Sequence, residues 1–80
     1  MNTFGKIEAD VKIGDGVVSI HRRGVSQVTT AKLLGVEHDA AGQPVRLWLD
    51  RMIHRPKEAE IGGWVVSGAV SSILTKTETR

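Results

Sequence analysis

The chain has no cysteine and no tyrosine among its 80 residues, and its aromatic content is two tryptophans and one phenylalanine. Without cysteine there can be no disulfide, no thiolate zinc site and no Cys nucleophile. A small extracellular domain ordinarily leans on such staples, so their absence favours a reducing, cytoplasmic setting. It also makes oligomerisation an expected source of further burial, because so short a chain buries only roughly 60–65% of the surface it exposes when unfolded. No run approaches the ~18 apolar residues of a membrane-spanning helix, and Met1–Lys12 lacks the basic-then-apolar layout of a signal peptide. The net charge of +2 is by itself too small to argue for a polyanionic partner. What remains is an ordinary mixture, 40% apolar and 25% charged, which suits one folded domain over residues 1–80 with a frayed tail at 76–80.

The pattern within that mixture is that of strands. In KIEADVKI, Ile7, Ala9, Val11 and Ile13 share one face and Lys6, Glu8, Asp10 and Lys12 the other, the period of a half-buried strand. Asp15-Gly16 follows, a dipeptide suited to the type I′ turn, which needs positive φ at both central positions. With that turn, Ile13 faces Val18, Val11 faces Ile20, Asp10 faces His21 and Glu8 faces Arg23. Apolar meets apolar, and opposite charges meet on the wet side.

A second hairpin is expected from VTTAKLLGVEH and VRLWLDRMIH, with its turn over Ala40–Gln43. Centring that turn on Ala41-Gly42 opposes Val36 to Leu47, Leu34 to Leu49 and Glu37 to Arg46, and lays Trp48 across Gly35. Leu34, Val36, Leu47 and Leu49 then form the core face, while Lys32 opposes Arg51, an unfavourable like-charge pair. Residues 55–63 break the alternation, and Pro56 with Glu58 and Glu60 suits a single helical turn. WVVSGAVSSIL, 64–74, reads as a last strand that is apolar or small on both faces, with Gly68 marking a bend or bulge.

About five short strands with one helical turn before the last give an all-β small barrel. That layout resembles SH3-like barrels and, among them, the Sm-like proteins. The Sm signature of a hydrophobic residue, Arg and Gly near the chain's end finds a partial counterpart in Val66-Ser67-Gly68-Ala69-Val70, where Ser67 stands in place of the arginine. Gly35 and Asp39 lie near the positions of the earlier signature, whose RNA-pocket asparagine has no counterpart after Asn2. The resemblance implies a ring-forming assembly protein and, as the alternative, RNA binding.

Chemistry is harder to find. His21, His38 and His54 do not converge on one point under these registers, and the face of His38 is opposite to that of Glu37 and Asp39, so no metal is expected. The serines cluster in SGAVSS without a nucleophile elbow, GDG leads into a strand and not a helix, and Glu58 and Glu60 belong to an exposed turn. No enzyme activity, cofactor or small-molecule substrate is expected. Two kinds of binding surface remain. Arg22, Arg23, Arg51, Arg55 and Lys57 gather at strand ends where they could hold phosphates, with Trp48 for base stacking. Trp48 and Met52 on the outer face of the second hairpin, with Val66 and Val70 on the charge-free last strand, suit a protein interface. The expectation is a small, non-enzymatic, self-associating binding or assembly module; the alternative is an Sm-like RNA-binding protein.

Overall fold

The computed structural model describes residues 5–54 and 59–77. All its regular structure is strand: β1 (Gly5–Ile7), β2 (Ala9–Gly14), β3 (Val17–Arg22), β4 (Val28–His38), β5 (Pro44–Leu49), β6 (Ala59–Ile61), β7 (Trp64–Ser67) and β8 (Ile73–Lys76). They form one sheet in the order β1-β6-β7-β8-β5-β4-β3-β2. Its two outermost strands are consecutive in the chain, separated only by Glu8, so the sheet rolls into a nearly closed barrel. The joint is visible in the hydrogen bonds: the carbonyl of Ile7 accepts from Gly62 N–H at 3.1 Å, and that of Glu8 accepts from Arg23 N–H at 2.9 Å. Successive carbonyls at the β1–β2 junction thus bond toward the two ends of the sheet. No helix long and apolar enough to cross a membrane occurs among the described residues.

The first hairpin has the expected register, with Ile13 opposite Val18, Val11 opposite Ile20 and Asp10 opposite His21. Asp15 and Gly16 take φ of 56° and 74°, the backbone a type I′ turn demands. Arg23 closes the outer side on Glu8, Nη1 to Oε1 at 2.6 Å.

The second hairpin follows the pattern at one end and departs from it at the other. Glu37 pairs Arg46, Val36 pairs Leu47 and Gly35 pairs Trp48, but Leu33, not Leu34, then stands opposite Leu49. Leu34 is the extra residue of a β-bulge and is 66% exposed, so its expected place in the core belongs to Leu33, which packs against the buried cluster. The bulge also removes the Lys32–Arg51 conflict. Lys32 instead meets Asp50, whose N–H donates to the Lys32 carbonyl at 3.0 Å and whose Oδ1 accepts the Lys32 N–H at 2.9 Å. At the turn, Asp39 Oδ1 accepts the N–H groups of Ala41 and Gln43, each at 2.9 Å, and Gly42 takes a φ of 83°.

Three further expectations need correction. The strand does not continue to His54: it ends at Leu49, and the chain turns over the barrel's end, where Ile53 is buried as a plug. The helical turn expected in 55–63 falls partly outside the described residues, and its described part is strand β6 followed by a turn at Gly62-Gly63. The supposed last strand is a hairpin, β7 and β8, reversed at Gly68 with φ 116°. Eight strand segments therefore replace the expected five. The β5 connection passes over to β6, while β5 itself lies beside β8, a Greek-key crossing.

Inside, Val36, Leu47, Leu74, Val66 and Ala59 are successive cross-strand partners and make one row of the core. Val18, Ile20, Ala31, Leu49, Ile53, Ile61 and Trp64 complete it. Ser72 is the one buried polar side chain among the described residues. Its Oγ accepts the Ile53 N–H at 2.8 Å, its N–H donates to Arg51 O at 3.2 Å and its carbonyl accepts from Leu49 N–H at 3.0 Å. A single residue so anchors the whole 49–53 segment.

Candidate interaction surface

The same registers that define the inner row define an outer one, because cross-strand partners point to one side of a sheet. Across β4, β5, β8, β7, β6 and β1 it runs Glu37, Arg46, Thr75, Val65, Glu60, Lys6. A neighbouring outer row holds Gly35, Trp48, Ile73 and Ser67. The middle of the face is uncharged: Trp48, Ile73, Val65, Thr75 and Ser67 are each half-buried by their neighbours and otherwise open to solvent. Charges stand only at its flanks.

Trp48 is held in place from two sides. A Cβ built on Gly35 would lie 3.4 Å from the indole Cε3, so the ring packs directly over the Gly35 backbone. The Arg46 guanidinium carbon stands 6.0 Å from the ring centroid, and Arg46 Nη1 also donates to Glu37 Oε1 at 3.1 Å. The ring thus lies over the Gly35 backbone on one side and beside the half-exposed Arg46–Glu37 pair on the other.

The other residues expected at an interface are placed differently. Met52 lies in the 50–54 segment and not on the Trp48 face, and Val70 is 88% exposed in the 68–72 turn. Val66 is only 2% exposed, between Leu74 and Ala59 in the core, so it has no part in any surface. Val65 and Ile73 lie on the outer face beside Trp48 instead. Read as one strand, 64–74 offers no alternation; split at Gly68, β7 and β8 alternate in burial although not in residue type, and that glycine was the available signal.

The basic strand ends are largely occupied. Arg23 pairs with Glu8, and Arg51 Nε donates to Asp50 Oδ1 at 3.1 Å. The Arg51 hydrogen bond, joined by the Lys32 N–H, holds the Asp50 carboxyl below its ordinary range, against a smaller opposing effect of desolvation. Arg22 Nη2 reaches inward to the Ile53 carbonyl at 3.1 Å, and its Nε is buried with no hydrogen-bond partner among the described residues. Arg55 and Lys57 lie outside the described residues. A cleft of about 500 Å³ opens beside Arg22 and Arg23, but Glu8 and Asp10 line it too, so both signs of charge face any occupant.

Asp10, Ser19 and His21 line a pocket of about 240 Å³ together with Lys12 and Val28. Asp10 and His21 are cross-strand partners with Ser19 on the same strand as His21. The carbonyl of Val25, 2.8 Å from His21 Nε2, can only accept, so Nε2 carries the proton and anchors the ring. No three His, Asp or Glu side chains among the described residues come together as a metal site. Comparison with protein-family models, with curated proteins and with solved structures finds no match to this chain.

Proposed function

We propose that this chain is a small non-enzymatic assembly module that self-associates through the outer face of β5, β8 and β7. The observation that carries this reading is the uncharged centre of that face, where Trp48, Ile73 and Val65 stand together between charged flanks. A fixed aromatic in an apolar centre with a polar rim is the anatomy of a protein interface. Within this reading the barrel is of the SH3-like, Sm-like kind. Its support is the bent first strand shared by both ends of the sheet and the bulged β4, which pairs with β3 over one half and with β5 over the other. A cytoplasmic setting rests on the cysteine-free composition alone.

The RNA-binding alternative has less support. Arg23 and Arg51 are already matched by carboxylates, Arg22 by a carbonyl, and the cleft between them is of mixed charge. A salt-dependent gel shift with single-stranded RNA and DNA tests it: binding that weakens steeply with salt, and less steeply after Arg22→Ala with Arg23→Ala, would favour it over assembly. For the assembly reading, sedimentation over a wide concentration range is expected to give a mass above 8.7 kDa, reduced by Trp48→Ala. A strictly monomeric mass at the highest concentration would end it.

A further inference from the structure

We infer that the partner of this face is a second copy of the chain, docked face to face about a two-fold axis that runs along the seam between β8 and β7, so that Arg46 of each copy meets Glu60 of the other. The inference rests on the self-association reading and adds the geometry of the contact.

The order of charges across the face carries it. From β4 to β1 the outer row reads negative, positive, uncharged, uncharged, negative, positive: Glu37, Arg46, Thr75, Val65, Glu60, Lys6. A two-fold axis along the β8–β7 seam lays this row against its own reverse. Arg46 then faces Glu60, Thr75 faces Val65 and, further out on the curving flanks, Glu37 falls on the side of Lys6. Every charged position meets its opposite. An axis turned by 90° within the interface, along the row, instead puts Arg46 over Arg46 and Glu60 over Glu60. The charge order thus favours one two-fold arrangement and opposes the other, which is how a self-complementary interface fixes its register.

Sheets packed face to face keep their strands within about 30° of alignment, and on the convex outer face the long Arg46 and Glu60 side chains are the ones that can reach across from either side of the apolar centre. Arg46 is poised for the contact, since its side chain is held along the face by Trp48 and Glu37. The rival surface is less suited to a copy of itself. β2 is the other edge strand of the sheet, and antiparallel self-pairing centred on Lys12 would bring two Lys12 residues opposite each other.

The test is a charge exchange. Wild type, Arg46→Glu and Glu60→Arg are each weighed by sedimentation at matched concentrations, then the two variants are mixed. Wild type is expected at twice 8.7 kDa. Each variant alone places like charges at both contacts and is expected to dissociate at least tenfold more readily, whereas the equimolar mixture joins opposite charges at both and should recover the dimer. A circular dichroism melt checks that each variant folds; should one fail, Arg46→Gln and Glu60→Gln replace them, with a smaller loss expected for each. A dimeric wild type with variants unchanged, or a mixture that stays monomeric, overturns the docking geometry and leaves self-association standing. A monomeric wild type overturns both and leaves the face to a different protein.

Discussion

Replacing Ser72 by alanine tests how the barrel's end is held. The hydroxyl is buried, and its Oγ is the acceptor for the Ile53 N–H at 2.8 Å. Alanine keeps the Ser72 backbone bonds to Leu49 and Arg51 and removes little volume, so the principal loss is the partner of one buried N–H. Leaving such a donor unpaired costs about 1–3 kcal/mol. For a domain of this size, each kcal/mol lowers Tm by roughly 4–8 °C, which puts the expected fall at roughly 4–24 °C. Thermal melts give the size of the effect, and amide hydrogen exchange gives its location. The Ile53 N–H should lose protection more than the amides paired between β2 and β3 near the Asp15-Gly16 turn, whose hydrogen bonds do not involve Ser72. A Tm within about 2 °C of wild type, with Ile53 exchange unchanged, would refute the assignment of Ser72 as the anchor of the 49–53 segment.

Two other perturbations bear on the closure of the barrel and on its response to acid. Gly62 has a φ of 57°, and a Cβ there would lie 2.5 Å from the Ala9 carbonyl oxygen and 3.0 Å from Val11 Cγ2. Gly62→Ala should therefore destabilise by about 2–5 kcal/mol, strain and overpacking combined, as read by urea unfolding; a loss below about 1 kcal/mol would argue against close approach of the β6–β7 turn to β2. The Asp50 carboxyl is held below the ordinary carboxylate value of 3.8 in the folded state, first by the Arg51 hydrogen bond. Its contribution is thus present above pH 3.8 and lost as pH falls through the folded value, so Asp50→Asn should flatten the acid limb of stability. An acid limb identical in the two proteins would remove Asp50 from the account.

The parts of the fold that could be read in the sequence are those where a turn and a hydrophobic pattern agree. Asp15-Gly16 and the alternation of Ile7 to Ile13 specify the same register, and Glu8 with Arg23 adds a third indication on the outer side. Gly35 beneath Trp48 was legible for the same reason. The bulge was not, because Leu33 and Leu34 are the same residue type and either could serve the core. The only hint was the electrostatic misfit of Lys32 against Arg51, which shifting the register relieves. The β7–β8 hairpin was hidden by its composition: no Asn-Gly or Asp-Gly marks it and no charge interrupts it, so only Gly68 signalled the reversal. A built Cβ at Gly68 would clash with the Ser71 carbonyl oxygen, which shows how tight that reversal is. Pairing of β1 with β6 joins two three-residue strands in parallel, too short for any periodicity to announce. The candidate surface inherits these limits. Trp48 was found from its own strand, whereas Val65 and Ile73 became neighbours of Trp48 only once the hairpin was split and paired.

The central claim, that copies of the chain meet through the Trp48 face, is tested most directly by following backbone and indole NMR signals during dilution. Concentration-dependent shifts should gather on Trp48, Val65, Ile73 and Thr75, with Arg46 and Glu60 at their margin, and fade together as the dimer dissociates. Shifts confined to the β2 edge, Asp10–Gly14, or a spectrum unchanged across the whole range, would contradict it.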